Sequence, residues 1–151
     1  MAGHTFTFQA AHIVWSTSRR EPLIEPGWAG RLYKYMGGIC RSMDCSMLAA
    51  GGVADHVHLL VRLHPSVSTA DLMRVVKSKA SGWLKDEVGA SRSFAWQRGY
   101  GAFSVSEDRV ERVAAYIENQ ETHHRRMTFQ EEFIEFLERH KIKYEPRYVW
   151  D

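Results

Sequence analysis

The run Asp55-His56-Val57-His58-Leu59-Leu60-Val61 limits what this chain can fold into more than any other stretch. Segment 45–53 precedes it and reads as a strand. A tight turn near Ala54-Asp55 leads straight into segment 56–63, so the two predict an antiparallel hairpin. Successive side chains of a strand point to opposite faces. His56 and His58 therefore share one face, and Val57, Leu59 and Val61 share the other. Two imidazoles on one face are either a pair of metal ligands or two ordinary polar residues near a strand end, and the hairpin alone leaves both readings open.

The elements around the hairpin fix its neighbours. Segment 5–17 (TFTFQAAHIVWST) is rich in β-branched and aromatic residues and predicts the first strand. After a loop with Pro22 and Pro26, the residues Trp28, Leu32, Tyr35, Met36 and Ile39 recur at helical spacing. Pro65 ends the hairpin, and Ser68 or Thr69 caps a second helix whose apolar stripe is Leu72, Val75, Val76, Ala80, Trp83 and Leu84. Gly89 is its expected stop. A fourth strand is expected within 94–105. Ser104 with Glu107 reads as the capping box of the next helix, which carries Val110, Val113, Ala114 and Ile117. A last amphipathic helix is expected over 129–140, and the apolar tail residues Tyr144, Tyr148 and Trp150 are expected to pack against the body or a partner.

The order β-α-β-β-α-β predicts an α+β fold, a ferredoxin-like four-stranded antiparallel sheet with helices on one face plus C-terminal helices. The first and third strands are then central, with the second sheet face left for a ligand. A length of 151 residues suits one domain over 1–151. A 44% hydrophobic and 25% charged composition excludes a disordered chain. The net charge of +2 permits nucleic-acid binding without arguing for it. Cys40 and Cys45 form no CxxC pair, so neither a cysteine-built zinc cluster nor a disulfide scaffold is expected. No stretch reaches about 18 apolar residues, and no basic segment leads into an apolar run, so a cytoplasmic protein without a membrane span is expected.

A second constellation lies in the helix after the fourth strand. Tyr116, Gln120 and His123 stand at i, i+4 and i+7, on one face flanking the Val113/Ile117 stripe. That face is either an aromatic boundary beside solvated polar groups or the edge of a partly covered site.

Taken together, the two constellations resemble the single-tyrosine HUH transposases, the IS-two-hundred-like insertion-sequence family. His56-Val57-His58 stands as the His-hydrophobic-His motif. HIVWST (12–17) looks like the family's first strand, WQRGYGAFSVS (96–106) like the segment before its catalytic helix, and YIENQETHHRRMTFQEEF (116–133) like that helix and its sequel. The resemblance implies cleavage and rejoining of single-stranded DNA at hairpin ends. Tyr116 would attack a phosphate, form a 5′-phosphotyrosine and release a 3′-hydroxyl. A phenol titrating near ~10 is mostly protonated at neutral pH and must approach an anionic phosphate. His56, His58 and Gln120 would accordingly hold a divalent metal, Mg²⁺ or Mn²⁺. His123 is the rival to Gln120 as third ligand. The resemblance also implies a homodimer whose composite sites pair the histidines of one chain with Tyr116 and Gln120 of the other.

Segment 68–103 is the most basic part of the chain. Arg74, Lys77 and Lys85 fall on one side of a helix, and with Arg98, Arg125 and Arg126 they are candidate phosphate contacts or an ordinary solvated face. Trp96, Tyr100 and Phe103 are candidates for stacking on unpaired bases or for the core. Three other readings fit the same residues. One is a domesticated relative acting on genomic palindromes, one a non-catalytic ferredoxin-like nucleic-acid-binding module, and one a metal-dependent phosphodiesterase that uses water in place of Tyr116.

Overall fold

A computed structural model describes residues 3–150 of the chain. Four strands, β1 (Ala10–Ser16), β2 (Ser46–Val53), β3 (His56–Arg62) and β4 (Gly101–Val105), form one antiparallel sheet in the order β2-β3-β1-β4. The first and third strands are central, as the βαββαβ order predicts. β1 is buried along its whole length, which its near-continuous apolar sequence allows. It is shorter than the expected 5–17 because residues 5–9 run past the sheet end.

Helix α1 (Pro26–Ser42) starts with proline in its first turn, where a missing N–H costs nothing. Helix α2 (Thr69–Trp83) is capped by Ser68, whose hydroxyl accepts the Asp71 N–H at 3.1 Å. It unwinds through one wide turn and stops at Gly89, which takes a left-handed φ of 79°. These two helices cover one face of the sheet, where Ile13, Trp15, Val57, Leu59 and Val61 meet Leu32, Met36, Leu72 and Val76. Burying each such aliphatic side chain contributes about 1.5–3 kcal/mol, so this face is the main source of cohesion.

The other face is not open. It carries Ala10, His12 and Val14 from β1, His56, His58 and Leu60 from β3, and Phe103 and Val105 from β4. Helices α3 (Val110–Glu118), α4 (Gln120–His123) and α5 (Phe129–Arg139) lie over it. The expectation of an uncovered ligand face is thereby corrected. The phenylalanines of α5 need a surface to bury against, and Val14 and Phe103 provide it.

Two local expectations also change. Ser104 lies inside β4, and Ser106, not Ser104, precedes the turn at Glu107–Arg109, with its hydroxyl on Asp108 Oδ1 at 2.6 Å. The capping box falls instead on α5, where Thr128 and Glu131 satisfy each other's backbone N–H groups. The tail folds back onto the body. Tyr144, Val149 and Trp150 pack on the α5 cluster, whereas Tyr148 stays 62% exposed. Among the described residues no helix is long and apolar enough to cross a membrane.

Candidate active site beneath Tyr116

The strand alternation places His56 and His58 side by side on the covered face, both fully buried. The turn before β3 adds a partner, since His56 Nδ1 lies 2.7 Å from Asp55 Oδ1. On β1, His12 stands on the same face one diagonal step from His58, and its Nε2 lies 2.8 Å from His58 Nδ1.

Helix α3 approaches this face over Gly51, which pairs with His58 across the hairpin. A Cβ at Gly51 would collide with the Ile117 carbonyl oxygen, so the helix seats closely only because glycine is there. The predicted continuous helix breaks at Asn119 (φ −104°, ψ 26°), a residue with weak helix preference. The Gln120 side-chain amide donates to the Tyr116 carbonyl at 3.2 Å, partly replacing the lost ladder bond. The break does not scatter the face. Gln120 Oε1 sits 3.3 Å from His56 Nε2, and the Tyr116 hydroxyl lies 3.0 Å from His123 Nε2. Of the two rivals, Gln120 points at the β3 histidines and His123 at the phenol.

Sequence reasoning missed the residue that joins these groups. Glu132 of α5 is 1% exposed. Its Oε1 lies 2.9 Å from His58 Nε2, 3.1 Å from His124 Nε2 and 3.4 Å from His56 Nε2. Its Oε2 accepts a hydrogen bond from the Tyr116 hydroxyl. Burial alone would raise the Glu132 pKa, but hydrogen bonds from the three surrounding imidazoles outweigh it and hold the carboxyl ionised. The histidines divide. Burial pulls His56 down, yet the Asp55 and Glu132 carboxylates outweigh it and raise its pKa. His58 meets only the Glu132 carboxylate and has His56 and His124 beside it, so burial wins and its pKa falls to about 4. His12 falls to about 3, again chiefly through burial. The Tyr116 phenol is pushed well above its usual value by burial and by the Glu132 carboxylate.

This donor set suits a cation. His56 and His124 each turn Nδ1 outward, to the Asp55 carboxylate and, at 2.6 Å, to the Met127 carbonyl. Both partners only accept, so each ring keeps a proton at Nδ1, and its Nε2 faces Glu132 Oε1, where either a proton or a metal ion must lie between them. Gln120 turns its carbonyl oxygen inward because its NH₂ is used on Tyr116. Nε2 of His56, Nε2 of His124 and the Gln120 oxygen thus converge with an ionised carboxylate oxygen. Only protons or a metal ion relieve that convergence. The four His and Glu ligand atoms lie within 4.8 Å of one another, a few tenths of an ångström beyond the roughly 4.4 Å that two metal–ligand bonds of about 2.2 Å put between opposite ligands.

The basic candidates lie farther off. Arg74, Lys77 and Lys85 belong to α2 and its last turn, on the opposite side of the sheet from Tyr116. Lys77 Nζ donates to the carbonyls of Gln97, Arg98 and Gly99 at 2.6, 3.2 and 3.0 Å, and burial lowers its pKa to about 8. Arg74 is exposed beside Asp71. Arg98, Arg125 and Arg126 are exposed, the last two directly after His124. Phe103 is buried against Phe136, and Trp96 packs on Trp15, so both belong to the core; Tyr100 is half-buried.

A tyrosine hydroxyl set against a His-hydrophobic-His strand, in a four-stranded antiparallel sheet, defines the class of single-tyrosine HUH proteins. Residues 5–120 match the family described as "Transposase IS200 like", and the chain belongs to that family. The transposases for insertion sequence element IS200 of Salmonella typhimurium and Salmonella typhi are each 30% identical over 88 residues, 54% of this chain and 57% of theirs. The match therefore spans little more than half the length of these curated relatives. A crystal structure of a candidate transposase from Deinococcus radiodurans R1 superposes with a TM-score of 0.62 at 21% identity, covering 80% of this chain and 96% of that one. A REP-associated tyrosine transposase bound to a REP hairpin superposes with a TM-score of 0.56 at 11% identity, covering 78% and 70%. At these identities the two structures share the fold. The family match includes His12, His56, His58, Tyr116 and Gln120 and stops before His123, His124 and Glu132.

Proposed function

We propose that this chain is a DNA transposase that cleaves and rejoins single-stranded DNA at hairpin ends through a covalent 5′-phosphotyrosine on Tyr116. The observation that carries the reading is the Tyr116 hydroxyl set against Glu132, directly over the converging acceptor atoms of His56, His58, His124 and Gln120. Tyr116 Oη attacks the phosphate and the 3′-oxygen leaves; a second 3′-hydroxyl later reverses the step and frees the phenol. The phosphodiester energy stays in the tyrosyl ester, so rejoining needs no nucleotide cofactor.

His56 and His58, with Gln120, Glu132 and His124, would hold the divalent cation, and its imidazole-rich donor set favours Mn²⁺ over Mg²⁺. A cation bound there would polarise a non-bridging phosphate oxygen. Glu132 Oε2 accepts the hydrogen bond of the Tyr116 hydroxyl and is the nearest acceptor for its proton, with His123 Nε2 beside the hydroxyl. Arg125 and Arg126, next to the site, are the basic pair best placed for backbone phosphates, with Arg98 on the loop that Lys77 holds. The REP hairpin held by the similarly folded transposase supports a hairpin partner.

Incubating single-stranded hairpin DNA with the protein and Mn²⁺, then denaturing it, tests this reading. We expect a protein–DNA adduct in the wild type and none with Tyr116→Phe. Cleavage that survives Tyr116→Phe would mean a phosphodiesterase using water, and binding without cleavage would leave a nucleic-acid-binding module.

The partner expected from the family resemblance is a second copy of this chain with exchanged helices. The alternative is Tyr116 serving its own β3, which it reaches within one chain through Glu132. Mixing Tyr116→Phe with His58→Ala chains separates the two arrangements. Adduct formation returns on mixing only if Tyr116 acts on the partner's histidines.

A further inference from the structure

We propose that His12 is a positioning residue that sets the tautomer of His58, handing it a proton at Nδ1 when a cation takes Nε2. The inference rests on the cation reading of the site given above. It concerns a residue that touches neither the phenol proton nor the proposed ligand atoms.

Each inward-facing imidazole has one outer partner. For His56 it is the Asp55 carboxylate, and for His124 the Met127 carbonyl. Both partners only accept, so those two rings keep a proton on Nδ1 whether Nε2 carries a proton or a cation. His58 differs. Its outer nitrogen lies 2.8 Å from His12 Nε2, and an imidazole nitrogen can either give or take a proton. Its inner nitrogen lies 2.9 Å from Glu132 Oε1, a contact that requires a proton on Nε2. Without a cation, then, His58 is an Nε2–H tautomer, and His12 Nε2–H donates to His58 Nδ1.

A cation on His58 Nε2 reverses this. The Nε2 proton leaves to solvent, and the His12 Nε2 proton moves to His58 Nδ1. His12 takes a proton from solvent at Nδ1. The hydrogen bond now runs from His58 Nδ1–H to the His12 Nε2 lone pair. Neither ring changes charge, which matters where both are buried. His12 is well placed to do this repeatedly. It sits on the central strand β1, and its ring is packed at 5.0 Å from Phe136, 6.2 Å from Tyr116 and 6.4 Å from Phe103. Those contacts hold its Nε2 on His58 whichever way the proton lies.

The test uses Zn²⁺ as a diamagnetic probe, with ¹⁵N-histidine spectra and calorimetry on the whole chain. In the wild type, Zn²⁺ should convert His58 from Nε2–H to Nδ1–H. His12→Phe fills the space but offers no acceptor, and should weaken Zn²⁺ binding about 10- to 100-fold. His12→Gln, whose amide can present either end, should restore binding close to wild type. The inference is overturned if His58 keeps its proton on Nε2 with Zn²⁺ bound, or if His12→Phe binds Zn²⁺ as tightly as wild type. The wild-type spectra decide the matter even if His12→Phe does not fold. A wild-type chain that binds no Zn²⁺ overturns the cation reading itself, and this inference with it.

Discussion

Among single residues, burial and hydrogen bonding give Gln120 and His123 different tasks. Gln120 is 1% exposed with its oxygen toward His56, whereas His123 stands beside the Tyr116 hydroxyl. Gln120→Ala should weaken metal binding about 10-fold or more, by analogy with other groups that shape a metal site, and His123→Ala should leave it nearly unchanged. Titration calorimetry with Mn²⁺ reads both. The histidines also predict an acid limb. His12 and His58 have folded pKa values near 3 and 4, below the ordinary 6.5, so each contributes stability above 6.5 that is lost as pH falls toward those values. His56 works oppositely, because its raised pKa gives stability below 6.5 that fades as pH rises through it. Between pH 6.5 and 4 the His56 contribution is already complete and constant, so the two depressed groups alone predict a loss on the order of several kcal/mol. Thermal melts in chelator should fall across that window; a flat or rising profile would contradict the buried neutral pair. Much of the site was legible at this scale. Strand alternation paired His56 with His58, and helical spacing brought Tyr116 to Gln120. Glu132 was not legible, because in EEFIEF it reads as one more charge on a helix surface. Its burial depends on which way α5 docks. The adjacent His123-His124 pair was a visible signal, but only the return of α5 separates their roles.

Among elements, close approach sets the geometry. Helix α3 reaches the sheet because Gly51 has no Cβ under the Ile117 carbonyl. Gly51→Ala should push α3 outward, cost about 1–3 kcal/mol of stability and reduce adduct formation by displacing Tyr116. Denaturant unfolding and the adduct assay measure the two effects, and wild-type values in both would refute the close-approach argument. Lys77 does comparable work on the other side, tying three carbonyls of the strand-leading loop to α2. Lys77→Met keeps the stem and removes the bonds. It should destabilise by about 1–3 kcal/mol and speed hydrogen exchange at residues 98–101. The helical stripes and the βαββαβ order were readable because core helices and strands have distinct periods. The break at Asn119 was not, since Tyr116-x-x-x-Gln120 spacing fits a continuous helix. Nor was the start of α3. Ser104 fits a capping box in sequence, but pairing with β1 keeps it in β4.

For the whole molecule, the sheet has two covered faces with different chemistry. The α1/α2 face is apolar cohesion, while the α3–α5 face buries the histidines, Gln120 and Glu132 beneath the phenol. The sequence predicted the sheet and its central strands but left the second face open, because nothing local in α5 announces where it packs. The IS200-like family match runs through Gln120, and α5 adds a carboxylate beyond the matched segment. The account therefore stands or falls on Tyr116 as the nucleophile over that cluster. The most direct measurement is mass spectrometry of peptides from the protein trapped on single-stranded hairpin DNA with Mn²⁺. The account predicts a nucleotide joined through its 5′-phosphate to the peptide containing Tyr116, absent in Tyr116→Phe. A nucleotide on another residue, or cleaved DNA ending in a free 5′-phosphate without any peptide adduct, would contradict it.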